Sequence, residues 1–306
     1  MIAGLLTATV QFGALFAVMT VALNLQYARA GMINFGTVAY FAAGAYAYAI
    51  FTQDPPSGLD QYALGLGLSP FAGFIAAGIA AIVFALLTGW PTLRLRGEYL
   101  ALTTFAFAEV LHSLLLNERS IGNGSVGLTN VERPADLMQG LGDNAQYALM
   151  ATLLLIATVL LSRRLLTSPY GRLVDAVRDD EVAAEAVGRD VRRVRLEVFV
   201  LSALPIGFAG ALYAMITTLV SPAMFTSEVT FFVWIALALG GERTVLGAIM
   251  GTIALVFFQE VVRIVPFETV RGAQLAASLE EVVTGILFIL VLRLRPWDRL
   301  KRRTAA

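Results

Sequence analysis

The chain has 306 residues, 58% of them hydrophobic and only 14% charged, against about 25% charged in an average soluble domain. Its formal net charge is zero, so whole-chain charge selects no partner, and no nucleic-acid partner is expected. The absence of cysteine and the presence of a single histidine, His112, exclude disulfides, thiolate metal sites, cysteine nucleophiles and histidine-rich metal centres.

Apolar runs of 17 to 25 residues recur along the chain, the length that crosses a bilayer as a helix. The expected fold is all-α: a polytopic membrane helix bundle of about 8–9 transmembrane helices. Spans are expected at 2–27, 32–51, 70–90, 99–116, 145–162, 197–219, 228–240, 245–262 and 274–292, in one transmembrane domain over 1–306. The first apolar run ends near Ala28-Arg29-Ala30, which has the look of a signal-cleavage site. No positive charge precedes it, so it reads as the first span. Nine spans put the N-terminus outside and the C-terminus in the cytoplasm. On that map eighteen Lys and Arg residues fall inside and four outside, namely Arg119, Arg133, Arg263 and Arg271. This bias is that of cytoplasmic loops. Segment 228–240 is short and runs into Gly240-Gly241-Glu242-Arg243, which leaves open whether it spans or re-enters.

Small residues crowd several spans: Gly31, Gly36, Ala43 and Gly44, then Gly207 and Gly210, then Gly240, Gly247 and Gly251. They read first as close helix-packing faces, and alternatively as points where a helix breaks beside a substrate. The similar placing of the first and last of these groups hints at an inverted repeat. Polar side chains at membrane depth are the next signal, because each is costly there. Asn24, Asn34, Thr103, Thr104 and Glu109 are candidates for a polar substrate pathway. Glu109 lies three residues before His112, the spacing of one helix face, which suits a proton relay. The favoured reading of Glu109 is a hydrogen bond to a neighbouring helix or an ion pair near an interface, since one Glu and one His make a poor relay. Glu280 and Glu281 open the ninth span at the outer interface.

The longest polar stretch, Arg163 to Glu197, lies between two apolar runs and carries eight arginines, which marks it as a cytoplasmic loop, 163–197. Within it DDEVAAEAVG reads as a short helix. Asp179 or Asp180 is placed to cap it, Glu181 adds negative charge to its first turn, and Gly188 suits the position past its end. Leu173, Val177, Ala184 and Val187 recur at roughly helical spacing and would form a narrow apolar stripe. A structured helix between spans implies a docking partner, the alternative being a solvated connector. Ala183, Ala184 and Val187 are small enough to sit close in a partner's groove, with Asp179, Asp180, Glu181 and Glu185 pairing with basic residues at its rim. No G-x-x-x-x-G-K-[ST], G-x-S-x-G or H-E-x-x-H occurs, so no catalysis is expected, and ATP hydrolysis, if used, belongs to another chain.

At these residues the chain resembles a known family. AGMINFGTVAYFAAGAYA is similar to the second-span signature of permease subunits of bacterial branched-chain amino-acid ABC transporters. LRLRGEYLALTTFAFAEV resembles the entry to the fourth span in the longer of their two paired permeases. SPYGRLVDAVRDDEVAAEAVG resembles their cytoplasmic loop, and FAGALYA, SPAMFT and ALGG with LGAIMG follow in the family's order. The resemblance runs from about Val21 to Leu294. It implies an inner-membrane, multi-pass subunit of an importer, paired with a second homologous permease. Two cytoplasmic ATPases would bind ATP and Mg, and an extracytoplasmic binding protein would deliver substrate; this chain itself would hold no cofactor. It also implies that Asp180–Gly188 is the coupling element. Glu242 and Arg243 stand where the family has glycine and a small residue, and IGNGSVGLT stands where it often has a Gly-Gly-x-Asn-Gly run. Branches of the family carry urea, short amides or aromatic acids. A proton-coupled secondary transporter and a passive channel are the rival classes; neither explains the cytoplasmic helix.

Overall fold

The computed structural model describes residues 2–56, 62–95, 97–134, 142–242 and 244–264, with 282, 283, 285, 286 and 289 beyond them. The fold is an all-α polytopic bundle. Among the described residues eight helices carry it: α1 (Ile2–Asn24), α2 (Thr37–Thr52), α3 (Pro70–Thr92), α4 (Glu98–Asn117), α6 (Asp143–Thr167), α9 (Val191–Thr217), α10 (Ser227–Gly240) and α11 (Val245–Ile264). Between them lie the short α5 (Arg119–Gly122), then α7 (Pro169–Asp179) and α8 (Glu181–Ala186). Seven described helices are long and apolar enough to cross a membrane, α10 only with its 3-10 lead-in at Pro222–Met224, while α2 is shorter. Of the expected span 274–292 only residues 282, 283, 285, 286 and 289 are described, all helical; Glu280, Glu281 and Arg243 lie outside the described residues.

The sequence explains which helices sit inside. α2 is apolar all round, and its glycine and alanines let neighbouring backbones close on it. A Cβ on Gly44 would stand 2.2 Å from the Gly207 carbonyl oxygen, and one on Gly210 would stand 2.1 Å from that of Phe41. The α2–α9 crossing is therefore a backbone contact. α10 and α11 close in the same way, since a Cβ on Gly240 would meet the Gly247 oxygen at 1.8 Å. Tyr40, Phe41, Tyr48, Phe199 and Phe225 fill the space that the small residues leave. The outer helices turn Ile75, Ile79, Leu102, Val110, Leu153, Leu160, Met250 and Phe257 outward, the side chains that lipid accepts.

At one end a two-residue ribbon joins the loops after α4 and α9, with Leu128 opposite Val220 and Thr129 opposite Leu219. Arg133 holds this end down, donating from Nε to Met215 O at 3.1 Å and from Nη2 to Ile216 O at 2.9 Å. These are carbonyls of the last turn of α9, where a cation is favourable.

Three element bounds differ from the expectation. The second span is not helical from 32: α1 passes through a π turn, Leu25–Arg29, the chain is irregular to Gly36, and helix resumes at Thr37. Gly31 turns the chain with φ +65°, and Asn34 Oδ1 accepts from Gly36 N at 2.7 Å, replacing a helical bond. α6 runs on through Arg163 and Arg164 to Thr167, and α9 starts six residues early at Val191, because long basic side chains continue a helix past the apolar zone.

Candidate functional site

The break between α1 and α2 gathers the polar side chains of the membrane region. Asn34 is fully buried, and its Nδ2 donates to Gln26 Oε1 at 2.9 Å. Gln26 Nε2 donates in turn to Ser202 Oγ on α9. Thr104 on α4 accepts from Phe35 N at 3.1 Å. Thr230 on α10 accepts from Val38 N at 3.1 Å and meets Thr37 Oγ1 at the same distance. Trp234 Nε1 donates to Asn34 O at 3.1 Å. Groups freed by the missing helical turns are thus met from three other helices, the condition for irregular backbone at membrane depth. Gly36 is required here, since a Cβ would stand 2.8 Å from Thr104 O.

Of the five candidates for a polar pathway, Asn34 and Thr104 join this cluster. Asn24 is buried nearby but donates to the backbone oxygen of Glu242, closing the end of α1 onto the α10–α11 turn. That turn uses the backbone of Glu242 and leaves its side chain exposed. Thr103 does not join: its hydroxyl donates to Tyr99 O of its own helix at 2.7 Å. Glu109 accepts from Ser227 Oγ on α10, the neighbouring-helix bond favoured from the sequence. Gln26, Ser202 and Thr230 are central and escape the sequence reading.

The polar stretch 163–197 folds as the end of α6, then α7, α8 and the start of α9. Ser168 caps α7, accepting from Gly171 N at 3.2 Å, with Pro169 at the first helical position. Asp180, not Asp179, caps α8: one carboxylate oxygen accepts from Val182 N and Ala183 N at 3.0 Å each. At the other end Gly188 adopts φ +80°, Gly188 N donates to Glu185 O at 2.9 Å, and Arg189 N donates to Ala184 O at 3.0 Å. This paired closure holds a six-residue helix that could not persist alone.

The faces of α8 differ from the expectation. Ala184 is buried within this chain, while Val182, Ala183, Ala186 and Val187 are exposed, Val187 to 75%. The apolar stripe through Leu173, Val177, Ala184 and Val187 is broken where α7 ends at Asp179 and the chain turns. Glu181 does not face outward to a partner's rim: it pairs with the buried Arg195 of α9 at 3.0 Å. Asp179, Asp180 and Glu185 stay exposed.

Two links join this module to the membrane cluster. Asp175 pairs with Arg29 at 3.2 Å, and Arg178 Nη1 donates to Ala28 O. Both acceptors and donors on the far side belong to the π turn that opens the break. The second link is the Glu181–Arg195 pair, which ties α8 to the helix that carries Ser202. Tyr170 on α7 packs against α9 as well; burial and its neighbour Glu197 hold its phenol above the usual range.

Known proteins agree on what carries such a bundle. The family described as branched-chain amino acid transport system, permease component, matches residues 5–292. The high-affinity branched-chain amino acid transport system permease protein LivM of Escherichia coli strain K12 is 31% identical over 273 residues, 81% of this chain and 61% of that protein. The LivM protein of Salmonella typhimurium is 30% identical over the same shares. A probable branched-chain amino acid transport permease protein LivM of Methanocaldococcus jannaschii is 23% identical over 92% of this chain and 89% of its own length. The chain thus spans 61% of the length of the first two relatives. No solved structure matches the chain. The match across nearly the whole chain, on an all-α membrane bundle, decides the family: the chain belongs to the permease components of branched-chain amino acid transport systems.

Proposed function

We propose that this chain is the transmembrane permease subunit of an ATP-driven importer of branched-chain or related amino acids. It is a multi-pass inner-membrane protein that works by alternating access, coupling ATP hydrolysis in two separate cytoplasmic ATPases, which bind ATP and Mg, to translocation. A second homologous permease completes the pathway, and an extracytoplasmic binding protein feeds it. The module 163–197 faces the cytoplasm, as its arginines favour. The observation that carries this reading is α8, a helix capped at both ends, with small apolar side chains exposed on one side and an ion pair to α9 on the other. A rigid element transmits motion where a flexible loop would absorb it. Movement of α8 and α7 would reach the break through Glu181–Arg195 and through Asp175 and Arg178. Asn34 and Thr104 shape the pathway by fixing the break, Asn24 by holding the end of α1 to the α10–α11 turn, and Glu109 stands beside it.

The test is docking. Val187→Arg places a bulky charge on the exposed face of α8 and leaves the interior contact of Ala184 untouched. It should weaken ATPase binding about tenfold or more, the effect of ~1.4 kcal/mol, while the permease still inserts. Co-purification of the ATPases at wild-type yield would show that α8 is a solvated connector.

A further inference from the structure

We propose that a partly exposed ladder of aromatic rings along the seam of α4, α10 and the break forms the wall on which an amino acid with an apolar side chain crosses, with Glu109 anchoring its ammonium group. The proposal rests on the reading of the chain as an amino-acid permease and assigns that permease its contact residues. Tyr27 and Trp234 meet edge-on with centroids 5.0 Å apart, Trp234 stacks on Phe35 at 5.1 Å, Phe35 meets Phe231 at 5.6 Å, and Phe231 meets Phe105 at 6.3 Å. These five rings come from the π turn, the break, α4 and α10, so the fold assembles a track that no single element carries.

Unlike the core aromatics, these rings are not sealed. Phe231 is 46% exposed and Tyr27, Phe35, Phe105 and Trp234 are partly so, whereas Tyr40, Phe41, Phe199 and Phe225 are fully buried. Glu109 lies one turn beyond Phe105 on α4, Ser227 one turn before Phe231 on α10, and the two side chains bond to each other. A carboxylate therefore stands at the end of the ladder at membrane depth, where an ionisable group faces water or a partner rather than lipid. Val110 on α4 is apolar, exposed and suits lipid, and it lies about 100° from Glu109 and about 140° from Phe105 around the helix axis, so the Phe105–Glu109 flank faces another way.

The chemistry matches an amino-acid zwitterion. A carboxylate takes an ammonium group by charge-assisted hydrogen bonds, and aromatic faces attract both cations and aliphatic side chains. Ring faces discriminate little among aliphatic shapes and hold them weakly enough to release them. The buried cluster behind the ladder acquires a role as well: Asn34 O fixes Trp234, and Thr104 fixes the backbone of Phe35. These are positioning residues.

The natural chain lacks cysteine, so single cysteines report directly. The full chain, assembled with its second permease, ATPases and binding protein in proteoliposomes, carries Phe231→Cys, Phe105→Cys or Val110→Cys. During ATP turnover a hydrophilic thiol reagent should modify the first two and spare the third, and saturating leucine should slow modification severalfold. Glu109→Gln should lower leucine transport about tenfold while binding-protein-stimulated ATP hydrolysis persists. If the wild-type complex imports leucine but both ladder cysteines are inert, or are shielded by the second permease whether or not leucine is present, the ladder is not the track. If Glu109→Gln transports leucine at the wild-type rate, the anchor is refuted. A wild-type complex that imports no amino acid with ATP overturns both the ladder and the reading beneath it.

Discussion

Asn34 is the residue on which the break depends. It bonds Gly36 N, Gln26 and, through its carbonyl, Trp234. Asn34→Leu keeps the volume and removes the side-chain bonds, leaving Gly36 N–H and Gln26 Oε1 buried without them. Each such loss costs about 1–3 kcal/mol, so thermal stability of the purified permease should fall clearly; an unchanged melting temperature would show that the cluster is dispensable. Asn34 and Thr104 were legible in the sequence, because polar side chains within apolar runs stand out. Gln26, Ser202 and Thr230 were not, for a physical reason. Ser and Thr in spans satisfy themselves on their own helix, as Ser202 does at 2.8 Å to Val198 O, so their presence carries little signal. Only the fold shows that Ser202 also receives Gln26.

The helices themselves were readable, since lipid demands long apolar runs with internal hydrogen bonds. Their ends near charge and glycine were read less well. The break was hidden because Met32, Ile33 and Phe35 keep the run apolar while the backbone leaves the helix, and hydropathy does not report backbone conformation. α2 alone, at about 24 Å, falls short of a bilayer core of about 30 Å, and the irregular segment makes up the rest. The glycines prove to serve close packing at most positions and a break at Gly31. Gly240→Ala tests the packing. Its methyl group would lie 1.8 Å from Gly247 O, against backbone that cannot step aside. The α10–α11 hairpin should open at a cost near the top of the range of about 1–3 kcal/mol for overpacking, read as loss of monodisperse permease in detergent. Normal yield and stability would mean that the hairpin has slack.

For the whole molecule, the proposed orientation rests on charge and the proposed coupling on a capped helix. In the proposed orientation, which the arginine bias favours, 163–197 lies inside, and a cysteine at the exposed Val182 should resist an impermeant thiol reagent added to intact spheroplasts. Ready labelling would invert the topology. That a capped helix lies in this stretch was evident from the Asp179-Asp180 pair and Gly188. Which side it shows was not, because a six-residue helix takes its orientation from contacts outside itself, here Arg195 on α9. The central claim is that the chain moves amino acids only as part of an ATP-driven assembly, and reconstitution tests it most directly. Proteoliposomes with both permeases, the ATPases and the binding protein should accumulate radiolabelled leucine when ATP is supplied to the ATPase side, and should cease when either ATP or the binding protein is withheld. Accumulation by the permease chains alone under a proton gradient, without ATPases, would contradict the account.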